Sequence, residues 1–172
     1  MFFSVQVLEL HKIEFQNVFQ PGEIEFLEAG LRQPTPLQAT GTAELSGSFE
    51  EIRVSGHLSG SVECPCDRCL EPVVMPMDGK FDLFYRPADS EWETAPDAGL
   101  SDDEIEIGFY EGGGVDLIEV VREQVLLKLP MQRVCAPDCK GICPACGQNR
   151  NTSLCDCRVQ LTDERWKALR EL

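Results

Sequence analysis

The sequence predicts an α+β protein: an antiparallel β-sheet or meander with one packed helix, followed by a C-terminal cysteine-rich segment that binds zinc. Three observations predict it. Residues 1–86 alternate apolar and polar side chains over successive stretches broken by Gly, Ser and Pro, which is the period of half-buried strands. Residues 116–129 place apolar side chains at helical spacing between an Asp and a Pro. Residues 135–157, "CAPDCKGICPACGQNRNTSLCDC", hold six cysteines in twenty-three residues with hardly any large apolar side chain.

Taken in order, "MFFSVQVLELHKIEF" reads as a strand. It lacks the basic start of a secretory leader, and Ser4, Gln6 and Glu9 interrupt its apolar residues. The stretches "SVQVLEL", "LQATGTAELSG", "IRVSGHLSGSVEC" and "PVVMPMDGKFDLFYR" follow at period two, and short turns between consecutive strands favour an antiparallel meander. An acidic loop over 87–115 comes next, containing "RPADSEWETAPDAGLSDDE" and the short strand "EIEIGFY". Residues 87–121 carry eleven acids and no Lys or Arg, a run that reads as a solvated excursion. "EGGG" at 111–114 lacks the Lys and Ser/Thr that grip a nucleotide and is a turn. Asp116 then caps a helix over 116–129, with Leu117, Val121 and Val125 on one face and Glu119, Arg122 and Glu123 on another, until Pro130 stops it. The chain accordingly divides into a β-rich domain over 1–130 and a zinc-binding tail over 131–172. The tail ends in a short helix capped by Thr162, with Asp163 and Glu164 in its first turn.

The 172 residues are 42% hydrophobic, enough for one globular domain with a small appendage. A formal charge of −15 and a pI near 4.4 are the reverse of the basic footprint that grips nucleic-acid phosphates, so direct RNA or DNA binding by the whole surface is disfavoured. Residues 122–172 reverse the sign, with nine bases and six acids. No stretch approaches the roughly 20 apolar residues needed to cross a bilayer, so a soluble, cytoplasmic protein without a membrane partner is expected. In that compartment clustered cysteines point to metal or redox chemistry rather than structural disulfides.

Of nine cysteines, eight fall into close pairs: Cys66 with Cys69, Cys135 with Cys139, Cys143 with Cys146, and Cys155 with Cys157. Cys64 is left over. A tetrahedral zinc site takes four ligands and is commonly built from two short pairs, so eight thiols suit two structural zinc ions. "CPACG" is a zinc-knuckle turn in which Gly147 permits the positive φ that lets backbone N–H groups face sulfur. With the nearest complementary pair it gives a local site of Cys143, Cys146, Cys155 and Cys157. Cys135 and Cys139 then need "CDRC", and the second site of Cys66, Cys69, Cys135 and Cys139 pins the tail to the sheet. A crossed pairing of Cys66 and Cys69 with Cys143 and Cys146 stays open, as does a reading of "CDRC" as two buried strand-end thiols. The tail cannot bury enough apolar surface to fold without metal or cross-links. Arg68, Arg133, Lys140, Arg150 and Arg158 lie in or beside the pairs, where they offset the thiolate charge or, alternatively, meet RNA phosphates or an acidic partner.

No catalytic constellation appears. Every candidate metal ligand is sulfur, whereas a catalytic zinc keeps an open position and usually a His or carboxylate ligand. His11 and His57 stand alone among strand residues and read as surface or core histidines. Neither HExxH nor GxSxG occurs, and no small-molecule substrate is implied.

"CDRCLEPV", "DLIEVVREQVLLKLP", "CKGICPACGQNRN" and "CDC", in this order from about Val62 to Cys157, resemble the YceD family, the large ribosomal RNA subunit accumulation proteins. The resemblance implies a bacterial cytosolic or plastid stromal factor, without enzymatic activity, that supports accumulation of large-subunit ribosomal RNA. It carries the family's cysteine pattern onto Cys66, Cys69, Cys135, Cys139, Cys143, Cys146, Cys155 and Cys157. Arg150 departs from it, since an apolar residue is expected there. The acidic zone favours a ribosomal protein as partner, with pre-ribosomal RNA or a large-subunit precursor as the other choice. Two further readings compete. One is a thiol redox enzyme or redox-switched chaperone using the CxxC pair, although no helix N-terminus follows to lower a thiol pKa. The other is a zinc-ribbon DNA-binding regulator, whose only candidate recognition element, "ERWKALREL", is short and mixed in charge.

Overall fold

The computed structural model describes residues 1–46, 50–88 and 107–157. The chain divides into two compact units. One is Met1–Cys64 with Val74–Met131; the other joins Pro65–Val73 to the segment from Gln132 on.

In the first unit, β1 (Phe2–Ser4), α1 (Val5–Leu8), β2 (Ile13–Phe19), β3 (Leu37–Ser46), β4 (Glu51–Pro65), β5 (Pro72–Pro87), β6 (Ile107–Tyr110), β7 (Gly114–Asp116) and α2 (Leu117–Lys128) follow one another, the facing ends of β4 and β5 reaching into the second unit. Strands β2-β3-β4-β5-β6 form one five-stranded sheet in that order, and β1 pairs with β7 in a separate two-stranded sheet. The period-two reading holds where burial is one-sided. Ile52, Val54, Leu58, Val62 and Cys64 of β4 all face the core, spaced by even steps. Gly41 and Gly56 pair directly across β3 and β4, and a Cβ at either would strike the facing backbone first, the Ser55 carbonyl or the Thr40 carbonyl, and then the Phe15 or the Phe81 ring. Glycine is required by the close approach of the two backbones, over which the aromatic rings pack.

Helix α2 begins where Asp116 accepts from the Ile118 N–H at 3.0 Å, and it buries Leu117, Val120, Val121 and Val125 in the same core as β3 and β4. Leu129 is already extended at φ −64° and ψ 132°, as a residue preceding proline must be.

Two expectations are corrected. "SVQVLEL" is not one strand: pairing stops at Ser4, and Val5–Leu8 form a helical turn that buries Val5 and Leu8 while Val7 is exposed. Burial at i and i+3 overrides the alternation of the short sequence. The meander is antiparallel from β2 to β4, but β6 runs parallel to β5, pairing Phe84 with Ile107 through Pro87 with Tyr110. The long connection between β5 and β6 is what permits this, since a parallel neighbour needs about a dozen or more residues to return. Most of the expected acidic loop, residues 89–106, and the expected terminal helix with Arg158 lie outside the described residues.

Candidate metal centres

Both cysteine clusters lie in the second unit. The link between β4 and β5 closes as a tight turn, in which the Cys66 carbonyl accepts from Leu70 N–H at 2.9 Å and the Cys66 N–H donates to Glu71 O at 2.8 Å. Leu70 takes φ 64°, the left-handed residue that ends the turn. This geometry presents Cys66 and Cys69 together. Opposite, the Cys139 N–H donates to Ala136 O at 3.1 Å, folding Cys135 and Cys139 into a second turn.

The two turns meet thiol to thiol. Cys66 Sγ is 3.9 Å from Cys139 Sγ, and Cys69 Sγ is 3.6 Å from Cys135 Sγ. All four sulfurs lie within 4.8 Å of one another, and Cys143, Cys146, Cys155 and Cys157 form a second group under the same limit. A tetrahedron with metal–sulfur bonds of about 2.3 Å has edges of about 3.8 Å, so the first group is shaped to take one ion with no disulfide competing. The local pairing expected from spacing is the observed one, and the crossed pairing is not: Cys66 and Cys69 face Cys135 and Cys139. Cys64 stays apart in the core of the first unit.

Hydrogen bonds join the turns of the first cluster. Asp67 N–H donates to Arg133 O at 2.7 Å, and the Arg133 N–H donates to Asp67 Oδ2 at 2.6 Å. Arg68 donates from Nη1 to the carbonyls of Pro137 and Cys139, and Ile142 N–H donates to Arg68 O at 2.9 Å. Gly141, at φ 70°, lies so near Arg68 that a Cβ would stand 2.9 Å from its carbonyl oxygen. Two of the basic residues beside the pairs therefore have specific work: Arg68 caps carbonyls and Arg133 pairs with Asp67.

The second cluster rests on a hairpin. Gly147 N–H donates to Cys143 O and Cys143 N–H to Gln148 O, both at 2.8 Å, while Ile142 bridges Asn149. Gly147 has the expected positive φ, 73°. Arg150 is exposed and its N–H donates to Gly141 O, so the departure from an apolar residue falls at a surface position.

Two asparagines that cysteine spacing does not point to tie the clusters together. Asn151 donates to Cys139 Sγ at 3.3 Å and accepts from Lys140 N–H at 2.8 Å; Asn149 donates to Glu71 Oε1 and accepts from Asn151 N–H. Their signal was the polar run "CGQNRN", since short amides hydrogen-bond nearby backbone.

The electrostatics suit a bound cation. Burial pushes the Cys66 thiol up, yet the N–H groups of Cys69, Arg68 and Cys135 turned toward it prevail and hold it at about 6. The N–H groups of Cys146 and Ala145 likewise hold Cys143 at about 6. Cys135 is pushed up to about 12 by Cys139 and Cys69 beside it, and Cys157 to about 12 by Cys146. Each cluster thus accepts a first negative charge readily and resists further ones until a positive ion compensates them. His57 pairs instead with Asp78 at 2.9 Å, and His11 is exposed; neither joins a cluster.

The sequence profile of the family described as "Large ribosomal RNA subunit accumulation protein YceD" matches residues 54–172, a span that contains both clusters. The chain belongs to the YceD family. An uncharacterized protein of Mycobacterium tuberculosis (strain ATCC 25618 / H37Rv) is 32% identical over 124 residues, 72% of this chain but only 56% of that protein. The chain thus spans about half the length of its mycobacterial relatives. YlbN of Bacillus subtilis (strain 168), an uncharacterized protein, is 25% identical over 175 residues, covering 96% of this chain and 94% of its own length. A chloroplastic protein of Zea mays named large ribosomal RNA subunit accumulation protein YCED homolog 1 is 26% identical over 137 residues, 62% of this chain and 44% of that one. No solved structure matches. Among the described residues no helix is long and apolar enough to cross a membrane.

Proposed function

We propose that this protein is a non-catalytic, cytoplasmic ribosome biogenesis factor that supports accumulation of large-subunit ribosomal RNA. One structural zinc ion would sit in each four-cysteine cluster. It acts on a ribosomal protein or on a large-subunit RNA precursor. The observation that carries this reading is the family match over 54–172, whose span holds all eight paired thiols and the hydrogen bonds that organise them. Four sulfur donors per site and no His or carboxylate ligand favour zinc held for structure over a metal with an open reactive position.

The competing redox reading draws on the Cys66 thiol, held at about 6 within a CxxC turn. Against it, Cys66 is fully buried, whereas a reactive thiolate has to meet its disulfide substrate. The test is depletion of the protein in the cell that encodes it, followed by the ratio of large- to small-subunit ribosomal RNA. That ratio should fall on depletion, recover with the wild type and stay low with Cys66→Ser plus Cys69→Ser. An unchanged ratio sinks the proposal. Insulin reduction that vanishes in Cys69→Ser would put the redox reading in its place.

A further inference from the structure

Far along the chain from the cysteine turns, the first unit contains a cavity of about 630 Å³ lined by β1, the end of β5, β6, β7 and the first turns of α2. Tyr85 and Tyr110 line it from the buried side with both hydroxyls engaged, Tyr85 donating to Glu123 Oε2 at 3.2 Å and Tyr110 to Glu50 O at 2.8 Å. Phe2 and Phe109 line it from the solvent side, 53% and 66% exposed. Aromatic side chains are enriched at protein interfaces, and here two of them open onto the same cavity. A Cβ at Gly114 would strike the Phe3 carbonyl and come within 2.9 Å of the Phe2 ring, so glycine lets β1 and its aromatic side chain lie close.

The side-chain charge around this cavity has one sign. Among the described residues Glu111, Asp116, Glu119 and Glu123 line it and no Lys or Arg does; the cation at its edge is the N-terminal ammonium, 3.6 Å from Asp116 Oδ1. Asp116 is committed to capping α2, but among the described residues no cation pairs with Glu111, Glu119 or Glu123. Glu119 and Glu123 stand four apart on one helix, a spacing that destabilises the helix while both are negative. Burial first, and then Glu123 and Glu119, raise the Tyr85 hydroxyl, so the negative potential reaches the inner wall.

We propose that this cavity docks a basic segment of a partner polypeptide, seating a Lys or Arg side chain against the exposed aromatic faces and between the glutamates. Aromatic faces attract a cation through their quadrupole, and paired carboxylates receive a guanidinium in charge-assisted hydrogen bonds. A phosphate would be repelled by the same groups, and a neutral apolar ligand would strip water from three carboxylates without compensation. The volume exceeds one side chain, which leaves room for the neighbouring residues of an extended segment. The inference does not depend on the metal or on the ribosomal role.

The experiment is fluorescence anisotropy of a labelled decapeptide of alternating Arg and Gly, with its Glu and Gly counterpart as control, near physiological salt. The basic peptide should bind and the acidic one should not. Phe109→Ala should weaken binding by roughly three- to thirtyfold, and Phe109→Leu should do so too, because the quadrupole is lost in both. Glu119→Gln with Glu123→Gln should weaken it by about tenfold or more. Glu9→Gln with Glu14→Gln removes the same charge elsewhere on the unit and should change affinity by less than about twofold. Equal losses from the two acid pairs, or no loss in Phe109→Ala and Phe109→Leu at unchanged melting temperature, would reduce the effect to diffuse attraction by an acidic protein and overturn the site. Spermidine binding more tightly than the peptide, with the same dependence on Phe109, would overturn the polypeptide in favour of a free polyamine.

Discussion

The two cysteine clusters use one chemistry in opposite chain arrangements. The first gathers thiols 66 and 73 residues apart in sequence, with Cys66, Cys69 and Cys139 buried, Cys135 exposed, and hydrogen bonds of backbone and side chain joining its turns. The second gathers thiols from one short stretch, with Cys143 buried but Cys146 and Cys157 exposed and Cys155 half-buried. A ligand that closes a long loop removes more chain entropy than one that closes a short loop, though the difference grows only logarithmically, and buried sulfurs exchange their ion more slowly than exposed ones. With an ion bound, the first cluster would join the β4–β5 turn to the segment from Gln132 on, whereas the second would close its own hairpin.

The largest effect should come from deleting ligands. Cys66→Ser with Cys69→Ser should drop bound zinc from about two ions to about one and raise hydrogen exchange across 65–73 and 132–142. Cys143→Ser with Cys146→Ser should lower zinc equally but raise exchange mainly over 143–157. Since structural zinc contributes on the order of 10–16 kcal/mol in comparable segments, both losses should be unmistakable. Identical exchange maps for the two variants would erase the distinction between the clusters.

Next in size is the response to a chelator. The exposed sulfurs of the second cluster should give up their ion first, so zinc release followed by a coloured indicator should be biphasic, and the fast phase should be missing in Cys143→Ser with Cys146→Ser. A single phase would mean that burial does not separate the two centres.

Asn151→Ala sharpens the comparison from the other side, because it removes the donor to Cys139 Sγ without touching a ligand. Loss of such a supporting partner typically costs about 10–100-fold in metal affinity, and here it should fall on the first cluster through the thiol that Asn151 holds down. Asn151→Asp, which removes the donor and sets a carboxylate against that sulfur, should weaken binding further.

The smallest effect is expected outside the cysteine unit. Arg53 donates to Asp82 through Nε and Nη2 at 2.8 and 2.7 Å, and this hydrogen bond holds the Asp82 carboxyl below its usual range. A carboxyl depressed on folding contributes stability above its unfolded pKa of about 3.9 and loses it as pH falls through the folded value. Both side chains are more than a third exposed, so Asp82→Asn should cost less than about 1 kcal/mol at pH 7, and the difference from wild type should vanish in acid. A cost of several kcal/mol would show that this surface pair, and not only the clusters, carries the fold.

Much of this protein was legible in the order of its residues. Although which pairs meet stays open in the sequence, the strands β3, β4 and β5, the Asp116 cap and Pro130 stop of α2, and the grouping of eight thiols into four close pairs follow from local periodicity and from spacing. These are short-range rules that hold whatever the chain packs against. Tertiary structure alone decided the rest. Val5–Leu8 turned helical because burial of Val5 and Leu8 outweighs a short alternation, and β6 joined β5 in parallel because a long connection brought it back. Only the fold could turn the N–H groups of Arg68 and Cys69 toward Cys66, or bring Asn151 to Cys139 and Glu119 to the cavity beside Phe109. Those contacts join residues whose separation along the chain carries no periodic signal, and their strength depends on burial and direction, which a sequence does not contain.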